Sequence, residues 1–245
     1  MLAIIGGSGL SKLAGQDVTR RKVVRTPYGE PSGALTFGRV RGKDLVFLAR
    51  HGYGHTIAPH EVNYRANLWA LRAEQVSAVI SVASVGGIRG DAAPGALLVP
   101  DQIIDYTWGR PSTYFEGADA PVTHIDFTEP YTQALRLRIL AAARVCGETL
   151  IDGATYAATQ GPRLESAAEI NRMERDGADI VGMTGMPEAT LARELGLDYA
   201  AIAVSANFAA GRGESAHAVP LERIEAVLAE AMGRVRRIIE QLVAG

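Results

Sequence analysis

Short apolar runs alternate with amphipathic segments along the chain, and this alternation constrains the fold more than any other feature. Apolar residues recur at three- and four-residue spacing over 68–76, 135–146 and 167–173, which predicts helices. A longer stripe of the same kind, starting at Leu221, predicts a final helix. Buried strands are predicted over 2–5, 45–49, 78–82, 96–99, 156–158, 180–183 and 199–204. This order predicts an α/β fold, with a largely parallel or mixed sheet and helices on both faces.

The length and composition predict one domain that acts on a small molecule. The 245 residues are 47% hydrophobic and show no repeat, linker or low-complexity run, so residues 1–245 are assigned to a single domain. A net charge of -2 offers no basic field for nucleic acid or for an anionic membrane. No apolar stretch approaches the roughly 20 residues that span a bilayer, and the first residues lack a signal-peptide pattern. A cytoplasmic enzyme is expected.

Glycine or polar residues follow most of the predicted strands. In α/β sheets the ligand crevice lies at the carboxyl ends of the strands, so residues at these ends are expected to meet. The segments concerned are 6–9, 50–52, 84–87 and 161–163, together with Thr184 and Asn207. The sequence therefore predicts one shared site.

Several of these strand ends suit a phosphate group. The run Gly6-Gly7-Ser8-Gly9 combines backbone N–H groups that can approach an anion closely with a hydroxyl donor. Arg50 supplies a planar fork of donors beside the imidazole of His51, which is expected to donate a further hydrogen bond. An ordinary salt bridge at a sheet end is an equal explanation for this arginine. A flexible turn is expected at residues 84–87. The candidate phosphate ligands are Ser8, Arg50, His51, Ser84 and Thr184.

Two other kinds of site are disfavoured by spacing. A dinucleotide-binding G-x-G-x-x-G motif that starts at Gly7 would need a third glycine at position 12, which is Lys12. His51, His55 and His60 lack the spacing of a zinc-binding helix, and the glycines and Pro59 between them break any regular helix. No metal and no organic cofactor are predicted.

Over nearly the whole chain, the sequence motifs resemble those of the trimeric purine nucleoside phosphorylase and methylthioadenosine phosphorylase family. The matching segments are 6–10, 50–52, 55–57, 62–70, 161–163, 182–184 and 187–188. The resemblance implies a single α/β/α domain whose central mixed sheet curls into a distorted barrel. It also implies a homotrimer with active sites at subunit contacts, and inorganic phosphate as co-substrate.

The resemblance assigns roles to individual positions. It implies that phosphate is held by the five residues chosen above, with Ser84 acting through its backbone. Met183 matches the residue under the ribose, and His124 resembles a histidine that reaches the 5′ pocket of a neighbouring subunit. The substrate-binding residues are predicted to be Met183, Glu165, Asn207, Ala209, Leu221 and His124.

Glu165 and Asn207 match the residues with which the 6-oxopurine branch of the family binds its base. An ionised Glu165 only accepts hydrogen bonds, and hypoxanthine or guanine presents an N1–H donor, whereas N1 of adenine is another acceptor. Asn207 carries both a donor and an acceptor, and can stabilise the purine as it leaves. The alternative for Glu165 is a solvent-facing residue in the first turn of the helix 166–175.

Leu221 falls where family members that use ordinary nucleosides place a histidine for the 5′-hydroxyl. An apolar side chain cannot repay the desolvation of a hydroxyl, but it packs well against a methylthio group. His217 is close in the sequence, and Leu221 also fits as the first core residue of the last helix. The 5′-methylthio specificity thus depends mainly on Leu221.

The predicted reaction is phosphorolysis of S-methyl-5′-thioinosine to hypoxanthine and 5-methylthioribose 1-phosphate. Asn207, Glu165 and His51 are the predicted catalytic residues. An inosine or guanosine phosphorylase, or a methylthioadenosine phosphorylase, remains open within the enzyme class. A nucleoside-binding protein without turnover is the alternative from another class.

Overall fold

The fold is described from a computed structural model, which describes residues 1–10, 15–117 and 120–245. Position 12, where the dinucleotide motif would need its third glycine, lies outside these ranges. The strands are β1 (Leu2–Gly6), β2 (Asp17–Lys22), β3 (Leu35–Val40), β4 (Lys43–Ala49), β5 (Ala78–Gly87), β6 (Leu97–Val99), β7 (Gln102–Asp105), β8 (Ile151–Asp152), β9 (Thr155–Ala158), β10 (Ile180–Gly182) and β11 (Asp198–Phe208). The helices are α1 (Tyr64–Ala73), α2 (Gln133–Val145), α3 (Ala167–Arg175), α4 (Glu188–Glu194) and α5 (Leu221–Ala244).

The strands of the described residues form one mixed, 11-stranded sheet in which β5 is the central member. β11 pairs with β5 in parallel from Asp198 to Phe208, whereas the other side of β5 pairs first with β1 and then, antiparallel, with β10. The main path runs β2-β3-β4-β1-β5-β10-β9-β7, and β6 and β8 extend the sheet beyond β11. The expected mixed sheet is confirmed, but it does not close into a barrel.

Helices cover both faces of the sheet because successive side chains of each strand point to opposite sides. Val79 and Val85 of β5 pack on the side of α1 and α4, whereas Ile80 and Val82 pack on the side of α2 and α5. α3 lies over a smaller cluster that includes Val181. The predicted α/β architecture is thus confirmed. Within the described ranges, no helix is both long enough and apolar enough to cross a membrane.

Several short or exposed elements carry no hydrophobic pattern that could predict them. β2 is exposed along its whole length and is held by its antiparallel pairing with β3. β7 and β8 are short, and their pairing is completed by distant strands. α4 spans only Glu188–Glu194. Long-range pairing and packing, rather than local periodicity, form these elements.

The turn expected at residues 84–87 is wrong, because these residues continue β5. Their glycines are required by close backbone approach rather than by flexibility. A Cβ atom on Gly87 would lie 1.9 Å from the carbonyl oxygen of Ala92, and one on Gly86 would lie 3.2 Å from Val181 Cγ1. Gly86 and Gly87 pair with both β10 and β11, so the chain remains in a strand where a turn was predicted.

Candidate active site

A cavity of about 340 Å³ opens at the carboxyl ends of the central strands, within the size range of small-molecule sites. β1, β4, β5, β10 and β11 each contribute residues at or just beyond their ends. The predicted site residues that line it are Ser8, Arg50, His51, Ser84, Glu165, Met183, Thr184, Asn207 and Ala209. Leu221 and His124 are not among its lining residues.

Arg50 is fully buried and forms a bidentate ion pair with Glu188, the first residue of α4. Its Nε donates to Glu188 Oε2 at 2.7 Å, and its Nη2 donates to Oε1 at 3.0 Å. Tyr199 also donates to Oε1, at 2.9 Å. Burial lowers the pKa of Arg50, but the charge and hydrogen bonds of Glu188 outweigh it, so the pKa is raised above its ordinary value. The salt-bridge explanation considered for this arginine therefore applies.

The salt bridge leaves Arg50 able to act on a ligand as well. Nη2 also donates to Ser81 Oγ at 2.6 Å, and Nη1 donates to Val82 O at 3.1 Å. These contacts use four of the five N–H groups of a guanidinium, which leaves one on Nη1. A Cβ atom on Gly7 would lie 2.8 Å from Nη1, so only glycine lets the chain pass this close. The glycine-rich run thus lies directly against the guanidinium.

The loop after β4 folds back on itself and brings two histidines together. The N–H groups of Thr56 and Ile57 both donate to the carbonyl oxygen of His51. The rings of His51 and His55 lie 4.7 Å apart, and His55 Nε2 is 3.4 Å from Ser8 Oγ. Among the described residues, no group of three or more His, Cys, Asp or Glu side chains is arranged to hold a metal ion.

His51 is oriented by its neighbour in the same loop. Its Nδ1 lies 2.8 Å from the carbonyl oxygen of Ile57, which can only accept, so Nδ1 carries the proton. Burial, followed by the charge of Arg50, lowers the pKa of His51 to about 4. The ring is therefore neutral near pH 7, and Nε2 is an acceptor rather than the donor that the sequence suggested. Such an atom can accept a hydrogen bond from a P–OH group.

We expect the folded protein to lose stability as the pH falls from about 6.5 to about 4. In this range the unfolded chain binds a proton at His51 while the folded protein does not, which favours the unfolded state. The effect is up to about 3 kcal/mol, less any screening by solvent at the cavity mouth. Urea unfolding at both pH limits, compared with His51→Asn, measures it. An equal loss in both proteins would contradict the assignment.

The opposite side of the cavity carries an acceptor and an amide. Thr159, the first residue after β9, donates from Oγ1 to Glu165 Oε1 at 2.6 Å, which leaves Oε2 free to accept. A register shift in β11 between Ser205 and Asn207 turns the end of the strand. Asn207 Nδ2 donates to the carbonyl oxygen of Phe208 at 2.7 Å, so the amide orientation is set by its partner. One N–H and Oδ1 remain available.

The cavity wall near the start of α5 is apolar. Val219 and Ile224 line it, whereas Leu221 is 62% exposed. Leu221 is the first residue of the helix, and its side chain is not among those that line the cavity of this chain. His124 is also exposed and lies outside this cavity. Neither residue meets the others within one chain.

Known proteins are similar to this chain over almost its whole length. The sequence profile of the phosphorylase superfamily matches residues 1–244. The chain belongs to the phosphorylase superfamily. This phosphorylase is 50% identical over 244 residues to a probable S-methyl-5′-thioinosine phosphorylase of Xanthomonas campestris, covering 100% of this chain and 97% of that protein. The family resemblance is thereby confirmed.

Two further relatives of the phosphorylase bind or act on purines. It is 45% identical over 215 residues to the 6-oxopurine nucleoside phosphorylase of Pyrococcus furiosus, with 86% of this chain and 80% of that protein covered. The structure of methylthioadenosine phosphorylase from Schistosoma mansoni in complex with adenine superposes with a TM-score of 0.94 at 32% identity. That comparison covers 99% of this chain and 90% of the other. The phosphorylase thus shares its fold with enzymes that act on purine nucleosides.

Several residues at the site of the phosphorylase were given no role by sequence reasoning. Glu188 belongs to a matched motif, but nothing in the sequence pairs it with Arg50, which is 138 residues away. His55 also lies in a matched motif, but the only role weighed for it from the sequence is that of a metal ligand. Val219 and Ile224 are ordinary apolar residues near a helix start. The motif matches at His55 and Glu188 are thus the signals that could have indicated a role.

Proposed function

We propose that the protein cleaves S-methyl-5′-thioinosine with inorganic phosphate, releasing hypoxanthine and 5-methylthioribose 1-phosphate. The observation that carries this proposal is a single cavity lined at one side by phosphate donors and at the other by Glu165 and Asn207. The relative from Xanthomonas campestris, with 50% identity over the whole chain, supports the same substrate. The protein is a phosphate-dependent nucleoside phosphorylase, a pentosyltransferase.

Phosphate is proposed to bind among Ser8, Arg50, His51, Thr184 and the backbone at Ser84. The free N–H of Arg50 and the hydroxyl groups donate to phosphate oxygens, and the neutral His51 accepts a hydrogen bond at Nε2 from the P–OH group. This hydrogen bond orients the phosphate so that one of its ionised oxygens faces C1′. Positioning of the nucleophile supplies much of the rate enhancement.

The base is proposed to bind against Glu165 and Asn207, with Met183 beside the ribose and Ala209 beside the purine. Glu165 Oε2 accepts the N1–H of hypoxanthine, while Thr159 occupies Oε1. As the bond from C1′ to N9 breaks, its electron pair passes to the purine, and the free N–H of Asn207 stabilises the charge that develops there. The purine anion takes up a proton from water to leave as hypoxanthine. The ribose carries the complementary oxocarbenium character.

An assay with three nucleosides tests the proposal. Purified protein is incubated with S-methyl-5′-thioinosine, methylthioadenosine or inosine, each with and without phosphate, and the released base is quantified. We expect base release to require phosphate and kcat/KM to be highest for S-methyl-5′-thioinosine. Release of hypoxanthine without phosphate would contradict phosphorolysis. Binding without any product would favour the nucleoside-binding alternative.

Ile224→His is expected to shift the 5′ specificity towards ordinary nucleosides. Ile224 lines the apolar wall, and an imidazole there can pair with a 5′-hydroxyl that the wild-type wall leaves without a partner. The ratio of kcat/KM for inosine to that for S-methyl-5′-thioinosine should rise about tenfold. Leu221→His is the matched control, because Leu221 is exposed one turn away. If the ratio rises in Leu221→His but not in Ile224→His, Leu221 rather than Ile224 contacts the 5′ group.

The protein is also proposed to work as a homotrimer in which His124 enters the site of a neighbouring subunit. His124 is exposed and lies outside the cavity of its own chain, as such a role requires. His124 lies in the connection between β7 and α2, which also carries two exposed apolar side chains, Trp108 and Val122, with exposed fractions of 72% and 82%. Exposed apolar side chains of this size favour burial against another chain. Light scattering after size-exclusion chromatography would measure the assembly, and a monomeric active enzyme would exclude it.

A further inference from the structure

Arg110 binds two loops of the active site at once. We define the base loop as residues 159–166, which joins β9 to α3 and carries Glu165, and the ribose loop as residues 183–187, which joins β10 to α4 and begins with Met183 and Thr184. Arg110 itself belongs to the long connection between β7 and α2. β9 and β10 are parallel neighbours, so both loops leave the same edge of the sheet.

Most N–H groups of Arg110 donate to backbone carbonyl groups of these two loops. On the base loop, Nη2 donates to Thr159 O at 3.2 Å and to Gln160 O at 2.9 Å, and Nε donates to Gln160 Oε1 at 3.1 Å. On the ribose loop, Nη1 donates to Met183 O at 2.9 Å and to Met186 O at 2.6 Å. One planar group thus sets the spacing between the two loops.

On each of the two loops, Arg110 binds a residue that lies next to a different part of the proposed reaction. Thr159, whose carbonyl oxygen accepts from Arg110, is the residue whose hydroxyl donates to Glu165. Met183, held through its carbonyl oxygen, lines the cavity and precedes Thr184 of the phosphate site. In the part of the chain that the structure describes, no carboxylate forms an ion pair with Arg110, so its charge is shared among carbonyl dipoles rather than neutralised as in Arg50.

We propose that Arg110 is a positioning residue that couples the base half of the active site to its ribose and phosphate half. This inference rests on the proposed function, because it concerns the same cavity. In-line attack requires phosphate and purine to lie on opposite sides of C1′. The two halves of the site must therefore be held at a fixed distance and orientation relative to each other. Arg110 contributes by fixing the loops and does not touch the reacting atoms.

Arg110→Lys tests the coupling because lysine keeps the charge but has three donors on a flexible stem and cannot bridge the carbonyl groups of both loops. We expect kcat to fall about 100-fold, as misplacement of reacting groups by about 1 Å does, with KM rising for both nucleoside and phosphate. Arg136→Lys is the matched control. Arg136 also donates to two backbone carbonyl groups, those of Val99 and Pro100, but neither of these two residues lines the cavity.

Three results would overturn the proposal. They are equal kinetic changes in Arg110→Lys and Arg136→Lys, a rise in only one KM with kcat retained, or wild-type kinetics in Arg110→Lys. Should Arg110→Lys fail to fold, Gln160→Met removes one acceptor of Arg110, that of Nε, together with the acceptor of the Trp108 N–H, and we expect a smaller loss of kcat with both KM values raised. Unchanged kinetics in Gln160→Met would overturn the proposal too. Wild-type protein assayed in parallel separates the two ideas, since its inactivity would refute only the proposed function.

Discussion

Glu188→Gln is expected to lower the free energy of unfolding by about 3–5 kcal/mol. The carboxylate of Glu188 is fully buried and accepts from Arg50 Nε, Arg50 Nη2 and Tyr199. Glutamine replaces one oxygen with an NH₂ group that faces these donors, and the buried charge of Arg50 is left without its counter-ion. Because the Arg50 side chain is then no longer held against Gly7, KM for phosphate should rise as well.

Urea unfolding at neutral pH measures this effect. Glu174→Gln is the control, because the ion pair of Glu174 with Arg212 lies near the surface and such pairs contribute about 0–1 kcal/mol. A loss below about 1 kcal/mol in Glu188→Gln would contradict the account of a strong buried pair. The double variant Arg50→Met with Glu188→Met should regain much of the stability while remaining inactive, which separates the structural role of the pair from its catalytic one.

Glu165→Gln is expected to move base preference from 6-oxopurines towards 6-aminopurines. The hydroxyl of Thr159 donates to Oε1, so a glutamine keeps its oxygen on that side and turns its NH₂ group towards the base. This NH₂ group opposes the N1–H of hypoxanthine but pairs with N1 of adenine. A mismatch of about 1–3 kcal/mol corresponds to about 5- to 150-fold in kcat/KM for S-methyl-5′-thioinosine.

Competition between S-methyl-5′-thioinosine and methylthioadenosine, with both bases quantified, measures the change in preference. In the double variant Thr159→Val with Glu165→Gln the amide is free to rotate, so much of the shift towards adenine should disappear. An unaltered base ratio in Glu165→Gln would place Glu165 away from N1. The outcome therefore tests both the binding role of Glu165 and the orienting role of Thr159.

The location of the site was predictable because it follows from a general property of α/β sheets. Ser8, Arg50, Ser84 and Asn207 lie at or just after the ends of β1, β4, β5 and β11, which run parallel to their neighbours among these four, so that their carboxyl ends meet at one edge. Local sequence patterns suffice for this kind of argument. They also predicted helices α1, α2, α3 and α5, whose apolar residues recur with helical spacing.

Features that depend on a partner far away in the chain were not predictable in this way. The role of Glu188 follows from its contact with Arg50, and that of Arg110 from carbonyl groups that lie 49 to 76 residues away. Near the start of α5 the sequence could identify an apolar stretch but could not decide which residue faces the cavity. The packing of α5 on the sheet turns Ile224 inwards and leaves Leu221 exposed.

The sequence by itself determined the α/β architecture, the family, and the strand ends at which chemistry takes place. Periodicity, strand-end glycines and motif order are properties of neighbouring residues, so they can be read without coordinates. The tertiary structure alone decided the protonation of His51, the counter-ion of Arg50, the orientation of Glu165 and the apolar wall beside Ile224. Hydrogen-bond direction, desolvation and side-chain facing depend on which groups meet in space, and residues far apart in the chain supply most of those groups.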